Sequence, residues 1–191
     1  MRVISGTARG RKLKEPKRLD IRPTSDIVKE SVFNIIQFDI QGRRVLDLFA
    51  GTGQLGIEAL SRGAGSAAFV DSQPEAVKLI RANLQLCGFS DSASVYLRDA
   101  LSYLRSGEKF DLIFLDPPYD TPLADLALGK IIEFDKLNPN GIIICEIRAD
   151  RRNPDALAPY IMRKYYKYGS VKIVRYERCP AEAPGDVSAE A

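Results

Sequence analysis

The sequence contains no histidine. Histidine is the side chain that most readily serves as a general base near neutral pH, and it is the commonest metal ligand. Its absence excludes a Ser-His-Asp triad and a histidine-based metal site. The three cysteines (Cys87, Cys145 and Cys179) lie far apart and form no CxxC pair, so we expect neither a zinc site nor a disulfide framework. Catalysis would therefore depend on carboxylates, tyrosines, lysines or a cofactor with its own reactivity.

Long apolar runs are also missing. No stretch of the chain approaches the roughly 20 apolar residues that a membrane span needs, and residues 1–4 do not resemble the start of a signal peptide. Together with the odd number of cysteines, these features predict a cytoplasmic protein that does not contact a membrane. A length of 191 residues and a hydrophobic content of 45% predict one globular domain, which we expect to be monomeric.

Positive charge is concentrated at the beginning of the chain. The formal net charge is only +3, whereas residues 1–22 hold eight basic and two acidic side chains, a local charge of +6 that leaves −3 for all other residues. Such a basic arm on a mildly acidic body indicates contact with a polyanion. The alternative is a solvated tail that only aids solubility. The basic residues are Arg2, Arg9, Arg11, Lys12, Lys14, Lys17, Arg18 and Arg22.

Apolar periodicity predicts strands and helices that alternate along the chain. Thr24 and Ser25 are candidate caps of a first helix that begins at Asp26. The later helices are predicted at 54–61, from 74, at 100–104 and at 122–134, and the strands at 45–49, 67–70, 94–97, 110–115 and 141–147. Residues 161–168 and 171–178 flank a Gly-Ser turn, which is typical of an antiparallel hairpin. The pattern predicts an α/β fold with seven strands in a mostly parallel sheet, helices on both faces and a C-terminal hairpin.

The two ends of the chain differ from this central region. Residues 1–24 are predicted to form a basic extension with a short strand or hairpin, and residues 25–178 to form the main domain. Residues 179–191 are rich in alanine, proline and glutamate and have little to bury. We expect this tail to be disordered.

Acids and glycines follow the predicted strands, at the edge where such sheets bind ligands. The first strand runs into D-L-F-A-G-T-G at residues 47–53, and Asp71, Asp99 and Asp116 follow the next three strands. Residues 51–56 also match the GxGxxG dinucleotide fingerprint, with Asp71 about 20 residues later, so a NAD-dependent oxidoreductase is one alternative. However, so many acids form an anionic site, which suits a cationic cofactor better than a diphosphate.

The fourth strand ends in Asp116-Pro117-Pro118-Tyr119. Proline has no N–H to donate, so the two prolines end the strand in a rigid turn. The Asp116 carboxylate and the Pro117 carbonyl can accept the two hydrogens of an exocyclic amine, and the Tyr119 ring can stack on a base. The alternative is an ordinary proline-rich loop between a strand and a helix.

In this order, the D-x-F-x-G-x-G loop, the two following acids and D-P-P-Y resemble a class I S-adenosylmethionine-dependent methyltransferase that acts on amino groups. The N-terminal residues narrow the resemblance to the bacterial 16S rRNA (guanine-N2)-methyltransferase family, and the likeness covers residues 1–178. The segments that carry it are Arg2-Val3-Ile4-Ser5-Gly6, Arg9-Gly10-Arg11-Lys12-Leu13 and Arg22-Pro23-Thr24.

The resemblance implies a Rossmann-like fold, a cofactor and a substrate. The cofactor would be S-adenosyl-L-methionine, released as S-adenosyl-L-homocysteine. The substrate would be the exocyclic N2 amine of one guanine in 16S rRNA, met within the 30S subunit or an assembly intermediate. Three other functions stay open. One is methylation of adenine N6, because D-P-P-Y also occurs in adenine-N6 methyltransferases, and another is a non-catalytic RNA-binding module. The third, methylation of glutamine, is disfavoured because those enzymes favour Asn at the position of Asp116.

The resemblance also assigns roles to single residues. The cofactor pocket would be lined by Asp47, Phe49, Gly51, Gly53, Asp71 (at the ribose), Asp99 (at the adenine amine), Ala100 and Asp116. Catalysis would involve Asp116, Pro117 and Tyr119. RNA would contact Arg9, Arg11, Lys12, Arg22 and Tyr119. Apart from the resemblance, the positive charge of the hairpin predicts further phosphate contacts from Arg163, Lys164, Lys167, Lys172 and Arg175.

Each role has a simpler structural alternative. Asp47 could cap a turn, Asp71 and Asp99 could be helix N-caps, and Tyr119 could be ordinary packing. The family often has a second acid shortly after the position of Asp71, where this chain has Ser72-Gln73. Recognition of the ribose would then rest on Asp71 alone.

Overall fold

The computed structural model describes residues 1–16 and 26–178. The predictions made for Arg22, for the caps Thr24 and Ser25, and for the tail at residues 179–191 lie outside these ranges. The predicted division of the chain at residue 24 also falls there and stays a prediction. Within the described ranges, no helix has both the length and the apolar character needed to cross a membrane.

Helices and strands alternate as the sequence predicts. The helices are α1 (Asp26–Ile35), α2 (Gln54–Ser61), α3 (Pro74–Cys87), α4 (Ala100–Tyr103) and α5 (Leu123–Glu133). The strands are β1 (Arg44–Asp47), β2 (Ser66–Asp71), β3 (Ala93–Leu97), β4 (Phe110–Leu115), β5 (Leu137–Arg148), β6 (Tyr160–Tyr168) and β7 (Val171–Arg178). The largest difference from prediction is the start of β5, which was predicted at residue 141 and begins at Leu137. An irregular register lets Leu137 pair with Phe110 before the regular pairing with β4 begins.

The seven strands form one sheet in the order β3-β2-β1-β4-β5-β7-β6. The strands β1 to β5 run parallel to one another, whereas β7 is antiparallel to both β5 and β6. The mostly parallel sheet with a C-terminal hairpin is therefore confirmed. Strand order reverses between β1 and β4, and the carboxyl ends of two such strands frame the crevice where these folds bind ligands. Asp47 pairs with Phe114 across this boundary, so Asp47 at the end of β1 lies next to the end of β4, which Asp116 follows directly.

Both faces of the sheet are covered. One layer, called the first layer here, consists of residues 1–16 and α1–α3 packed on side chains such as Phe69, Phe114 and Ile144. The second layer contains α4 and α5, packed on side chains such as Ile113 and Cys145. Successive strand residues point to opposite faces, so strands covered on both sides are apolar almost throughout. This explains the continuous apolar runs of β4 and β5.

Residues 1–16, called the N-terminal segment below, are docked onto the first layer. Val3, Ala8 and Leu13 are buried in its core. The Glu58 carboxylate on α2 accepts the backbone N–H groups of residues 4 and 5 at 2.7 and 2.9 Å. The predicted strand or hairpin reduces to a single antiparallel bridge between residues 2 and 12. This part of the arm is therefore not a solvated tail, since its apolar side chains belong to the core.

Candidate active site

The loop after β1 has the backbone shape that a closely approaching ligand requires. Gly51 and Gly53 have φ angles of 52° and 77°, in the left-handed region that side chains with a Cβ disfavour. The third glycine, Gly56, serves packing instead: a Cβ there would lie 2.3 Å from the Phe69 ring on β2. Residues 50–53, called the glycine loop below, are thus held open at the carboxyl end of β1.

Asp47 is the last residue of β1 and is only 2% exposed. Its Oδ2 accepts the Gly56 N–H at 3.0 Å, so the alternative role of capping the turn into α2 is also fulfilled. Burial raises the pKa of this carboxyl from 3.8 to about 7, the Gly56 hydrogen bond opposes the rise, and the charges of Asp116 and Asp71 add to it. The site thus concentrates negative charge, and a cation bound beside Asp47 would favour its ionised form.

Asp71 ties the end of β2 to the glycine loop. Its Oδ2 accepts the Gly51 N–H at 2.9 Å, and its Oδ1 accepts the Gln73 N–H at 2.8 Å. Asp71 is therefore not the N-cap residue of α3, a position that Gln73 occupies. Each carboxylate oxygen has two lone pairs, so the half-buried Asp71 can still accept ribose hydroxyls while it holds the loop.

Asp99 caps α4, which was the structural alternative for this residue. Its Oδ1 accepts the Ser102 N–H at 2.8 Å, and the residue is exposed, whereas its neighbour Ala100 is buried. Phe49 packs half-buried against the second layer. The predicted cofactor residues thus all lie at the carboxyl ends of β1, β2, β3 and β4, the edge where a single ligand can contact them.

The D-P-P-Y turn at residues 116–119 is held at several points. The Tyr119 hydroxyl donates to the Glu146 carboxylate on β5, and the Tyr119 carbonyl accepts from Arg151 Nη1 at 2.7 Å. The Pro118 carbonyl accepts from the Thr121 hydroxyl at 2.7 Å. Asp116 is partly exposed at the start of the turn. Sequence reasoning missed Glu146 and Arg151; the available signal was one acid inside the apolar run GIIICEI.

The predicted RNA-contacting residues are only partly available for that role. Arg9, Arg11 and Lys12 are exposed on the N-terminal segment, which shares the first layer with Tyr119. Two of the hairpin residues have other partners: Lys172 is 5% exposed and donates to the Arg151 carbonyl. The guanidinium of Arg175 pairs with Asp39 at 3.2 Å and with Glu177 at 2.8 Å.

The structure therefore does not support phosphate contacts from Lys172 and Arg175, because both cations already have partners within the protein. Arg163 pairs with Glu177 at 2.7 Å but is half-exposed. Lys164 and Lys167 are exposed on β6. No cluster of three or more potential metal-binding acids or cysteines occurs in residues 1–16 and 26–178.

The fold and the site define a class of protein. The strand order and the antiparallel hairpin are those of a Rossmann-like methyltransferase: a solved putative methyltransferase from Escherichia coli superposes with a TM-score of 0.85 at 28% identity, covering 95% of this chain and 99% of that chain. A solved RNA methyltransferase from Salinibacter ruber, in complex with S-adenosyl-L-homocysteine, has the same fold: it superposes with a TM-score of 0.63 at 20% identity, covering 86% of this chain and 97% of that chain.

More particularly, the chain belongs to the family described as "Conserved hypothetical protein 95", whose model matches residues 1–177. Two of its relatives are named "Ribosomal RNA small subunit methyltransferase D". The Haemophilus influenzae (strain ATCC 51907 / DSM 11121 / KW20 / Rd) protein is 38% identical over 155 residues, covering 79% of this chain and 80% of the relative. The Escherichia coli (strain K12) protein is 31% identical over 191 residues, covering 100% of this chain and 94% of the relative. The family resemblance seen in the sequence is confirmed.

Proposed function

We propose that this protein transfers a methyl group from S-adenosylmethionine to the exocyclic N2 amine of a guanine in 16S rRNA. The observation that carries the proposal is the position of the D-P-P-Y turn. It lies beside an acidic ligand edge at the β1–β4 crevice and on the same layer as the exposed cations of the N-terminal segment. The names of the relatives support small-subunit rRNA as the substrate.

The residues at the acidic edge fit the cofactor. S-Adenosylmethionine carries a sulfonium and an ammonium group, and the acidic side chains of Asp47, Asp71 and Asp116 at this edge would favour both charges. Gly51 and Gly53 would let the backbone approach its methionine end, Asp71 would accept from the ribose, and Phe49, Asp99 and Ala100 would surround the adenine. When bound, the cofactor supplies an electrophilic methyl group with an excellent leaving group.

The chain's own residues would orient the amine and remove its proton. The Asp116 carboxylate and the Pro117 carbonyl would accept the two amine hydrogens, which favours a more tetrahedral and more nucleophilic nitrogen. Asp116 would then take the proton, since the chain has no histidine to do so. Stacking on Tyr119 would hold the base, a contact worth about 1–3 kcal/mol.

The basic N-terminal segment would bind the RNA backbone. A paired guanine must leave its stack to reach the site, which costs a few kcal/mol, and phosphate contacts by Arg9, Arg11 and Lys12 would offset part of that cost. We propose a monomer that acts in the cytoplasm on the 30S subunit or an assembly intermediate. The choice of guanine is supported by the N-terminal pattern from Arg2 to Leu13, since the D-P-P-Y turn suits any exocyclic amine.

The test is transfer of labelled methyl groups to unmodified 30S particles, naked 16S rRNA, 50S particles and DNA. Asp116→Asn keeps the shape of the side chain and removes its basicity, so at saturating S-adenosylmethionine, where weaker cofactor binding makes no difference, transfer should fall by about a hundredfold or more. Asp120→Asn is the matched control, because Asp120 is 88% exposed and lies 3.5 Å from Arg148. Undiminished transfer by the Asp116 variant would sink the catalytic assignment.

The chemical identity of the product tests the choice of base. Digestion of the labelled RNA to nucleosides, followed by mass spectrometry, should yield N2-methylguanosine as the labelled species. Label in N6-methyladenosine, or transfer to DNA in preference to 30S particles, would contradict the guanine assignment and leave the methyltransferase assignment intact.

A further inference from the structure

Glu146 is a buried acid in the middle of an apolar strand. It is 4% exposed and lies on β5, where its alternation with Ile142 and Ile144 directs it to the first layer. Burying a carboxylate is costly unless it is hydrogen-bonded. The Tyr119 hydroxyl donates to Glu146 Oε1. A central strand of the sheet thus carries an acceptor aimed at the aromatic residue of the D-P-P-Y turn.

The other end of Tyr119 is held as well. Arg151 Nη1 donates to the Tyr119 carbonyl at 2.7 Å and to the Thr121 carbonyl at 3.1 Å. Arg151 is in turn held by Lys172, whose ammonium donates to the Arg151 carbonyl. The main chain of Tyr119 is therefore held by Arg151, which follows β5 and is itself held by Lys172 on β7. The hydroxyl of its ring is held by Glu146 on β5.

Anchoring at both ends restricts the orientation of the ring. A tyrosine held only by its backbone can turn about two side-chain bonds. A hydrogen bond at the hydroxyl fixes the direction of the ring axis, and because a phenolic O–H prefers the ring plane, the bond also restrains rotation about that axis. A stacking surface that is already oriented avoids the loss of side-chain freedom when a base arrives. The ring at the D-P-P-Y turn is therefore prepared for stacking before the RNA binds.

We propose that Glu146 is a positioning residue for methyl transfer, which sets the orientation of the Tyr119 ring and does not itself touch the base. This inference rests on the proposed function, since it assumes that Tyr119 stacks on the methylated base. It predicts that Glu146 and Tyr119 act as one unit, with Glu146 contributing through the Tyr119 hydroxyl.

A double-mutant cycle tests this unit on unmodified 30S particles. Tyr119→Phe removes the hydroxyl and keeps the ring, and Glu146→Leu removes the acceptor. Each should lower kcat/KM for the RNA by about tenfold to a hundredfold, the range expected for a hydrogen bond to a charged group. The double variant should be no worse than either single variant. Glu146→Gln retains an acceptor oxygen and should recover most of the activity that Glu146→Leu loses. S-Adenosylhomocysteine affinity should stay within about twofold throughout, because the pair does not line the cofactor edge.

A spectroscopic measurement makes the test independent of turnover. Fluorotyrosine placed at position 119 should give one sharp fluorine resonance in the cofactor-bound protein. Glu146→Leu should shift or broaden it, because the ring would sample several orientations, and Glu146→Gln should restore it. A resonance that Glu146→Leu leaves unchanged would overturn the inference even if no RNA substrate is accepted.

The outcomes separate the inference from the proposed function. If Tyr119→Ala leaves methyl transfer intact, the proposed stacking role fails. If Tyr119→Ala abolishes transfer while Tyr119→Phe is as active as the wild type, stacking stands and the positioning role of Glu146 is refuted. Additive losses in the double variant would refute it too. If Glu146→Leu folds poorly, the kcat/KM of Tyr119→Phe alone decides whether the hydrogen bond matters, since this variant leaves the buried acid in place.

Discussion

Replacing Asp47 by asparagine should stabilise the cofactor-free protein at alkaline pH and weaken cofactor binding. The folded structure holds the pKa of this carboxyl at about 7, mainly through burial, against an ordinary value of 3.8. Below pH 3.8 the group is protonated in both the folded and the unfolded chain, and the folded state has its full stability. As the pH rises towards 7, only the unfolded chain ionises, so stability is progressively lost.

The size of this effect follows from the two pKa values. The interval between 3.8 and about 7 corresponds to about 4 kcal/mol of stability lost above neutral pH, at about 1.4 kcal/mol for each pH unit. Between about pH 5 and about pH 8 the wild type should lose about 3 kcal/mol from this group, and Asp47→Asn should lose none of it. For a chain of 191 residues, that difference corresponds to about 6–12 °C in melting temperature.

Thermal unfolding across this pH range, without and with S-adenosylhomocysteine, checks both halves of the prediction. The ligand retains the ammonium group, so its affinity for the wild type should fall about tenfold for each pH unit below about 7, where Asp47 becomes protonated. The variant should bind more weakly and without this pH dependence. Asp91→Asn makes the same chemical change at an exposed acid and serves as the control. Identical pH profiles for wild type and Asp47→Asn would refute the reasoning.

Two further predictions concern the N-terminal segment. Replacing Arg9, Arg11 and Lys12 together by glutamine should weaken RNA binding and flatten the plot of log affinity against log salt by about 2–3; an unchanged slope would show that these cations do not meet phosphates. Gly6→Ala should cost about 3 kcal/mol or more, because a Cβ there would lie 1.7 Å from the Ser61 carbonyl oxygen at a φ of 83°. Gly10→Ala has a similar φ of 82° with no atom within 4 Å of the added Cβ, so it should cost only about 1 kcal/mol; equal losses in urea unfolding would contradict the docked arrangement.

The fold and the gathering of acids at one edge of the sheet could be predicted from the sequence because both follow from local patterns. An apolar run such as the one from Leu112 to Leu115 is typical of a strand covered on two sides, and a proline such as Pro74 suits the first turn of a helix. Once the strands are parallel, the residues after them must share one edge. Asp47, Asp71 and Asp116 are brought together by that rule alone.

Partners chosen by tertiary packing could not be predicted in this way. Lys172 and Arg175 are as basic as Lys164 and Lys167, and only the folded structure shows that Lys172 donates to the Arg151 carbonyl and that Arg175 pairs with Asp39. The hydrogen bond between Tyr119 and Glu146 spans 27 residues, and no local spacing encodes it. The capping role of Asp99 was predicted only as an alternative. An acid between a strand and a short helix can either cap that helix or bind a ligand at the edge of the sheet.

The basic segment and the cofactor edge are parts of one rigid arrangement. Asn83 on α3 is fully buried; its Oδ1 accepts the Lys14 N–H at 2.7 Å, and its Nδ2 donates to the Lys14 carbonyl at 3.2 Å and to the Thr52 carbonyl of the glycine loop at 3.0 Å. One side chain therefore joins the backbone of the N-terminal segment to the loop that begins α2. Because a buried polar group is costly to leave unsatisfied, the segment cannot move away from the loop without losing these bonds. The exposed cations of the segment are thus held at a fixed position relative to the glycine loop, on the same layer as Tyr119.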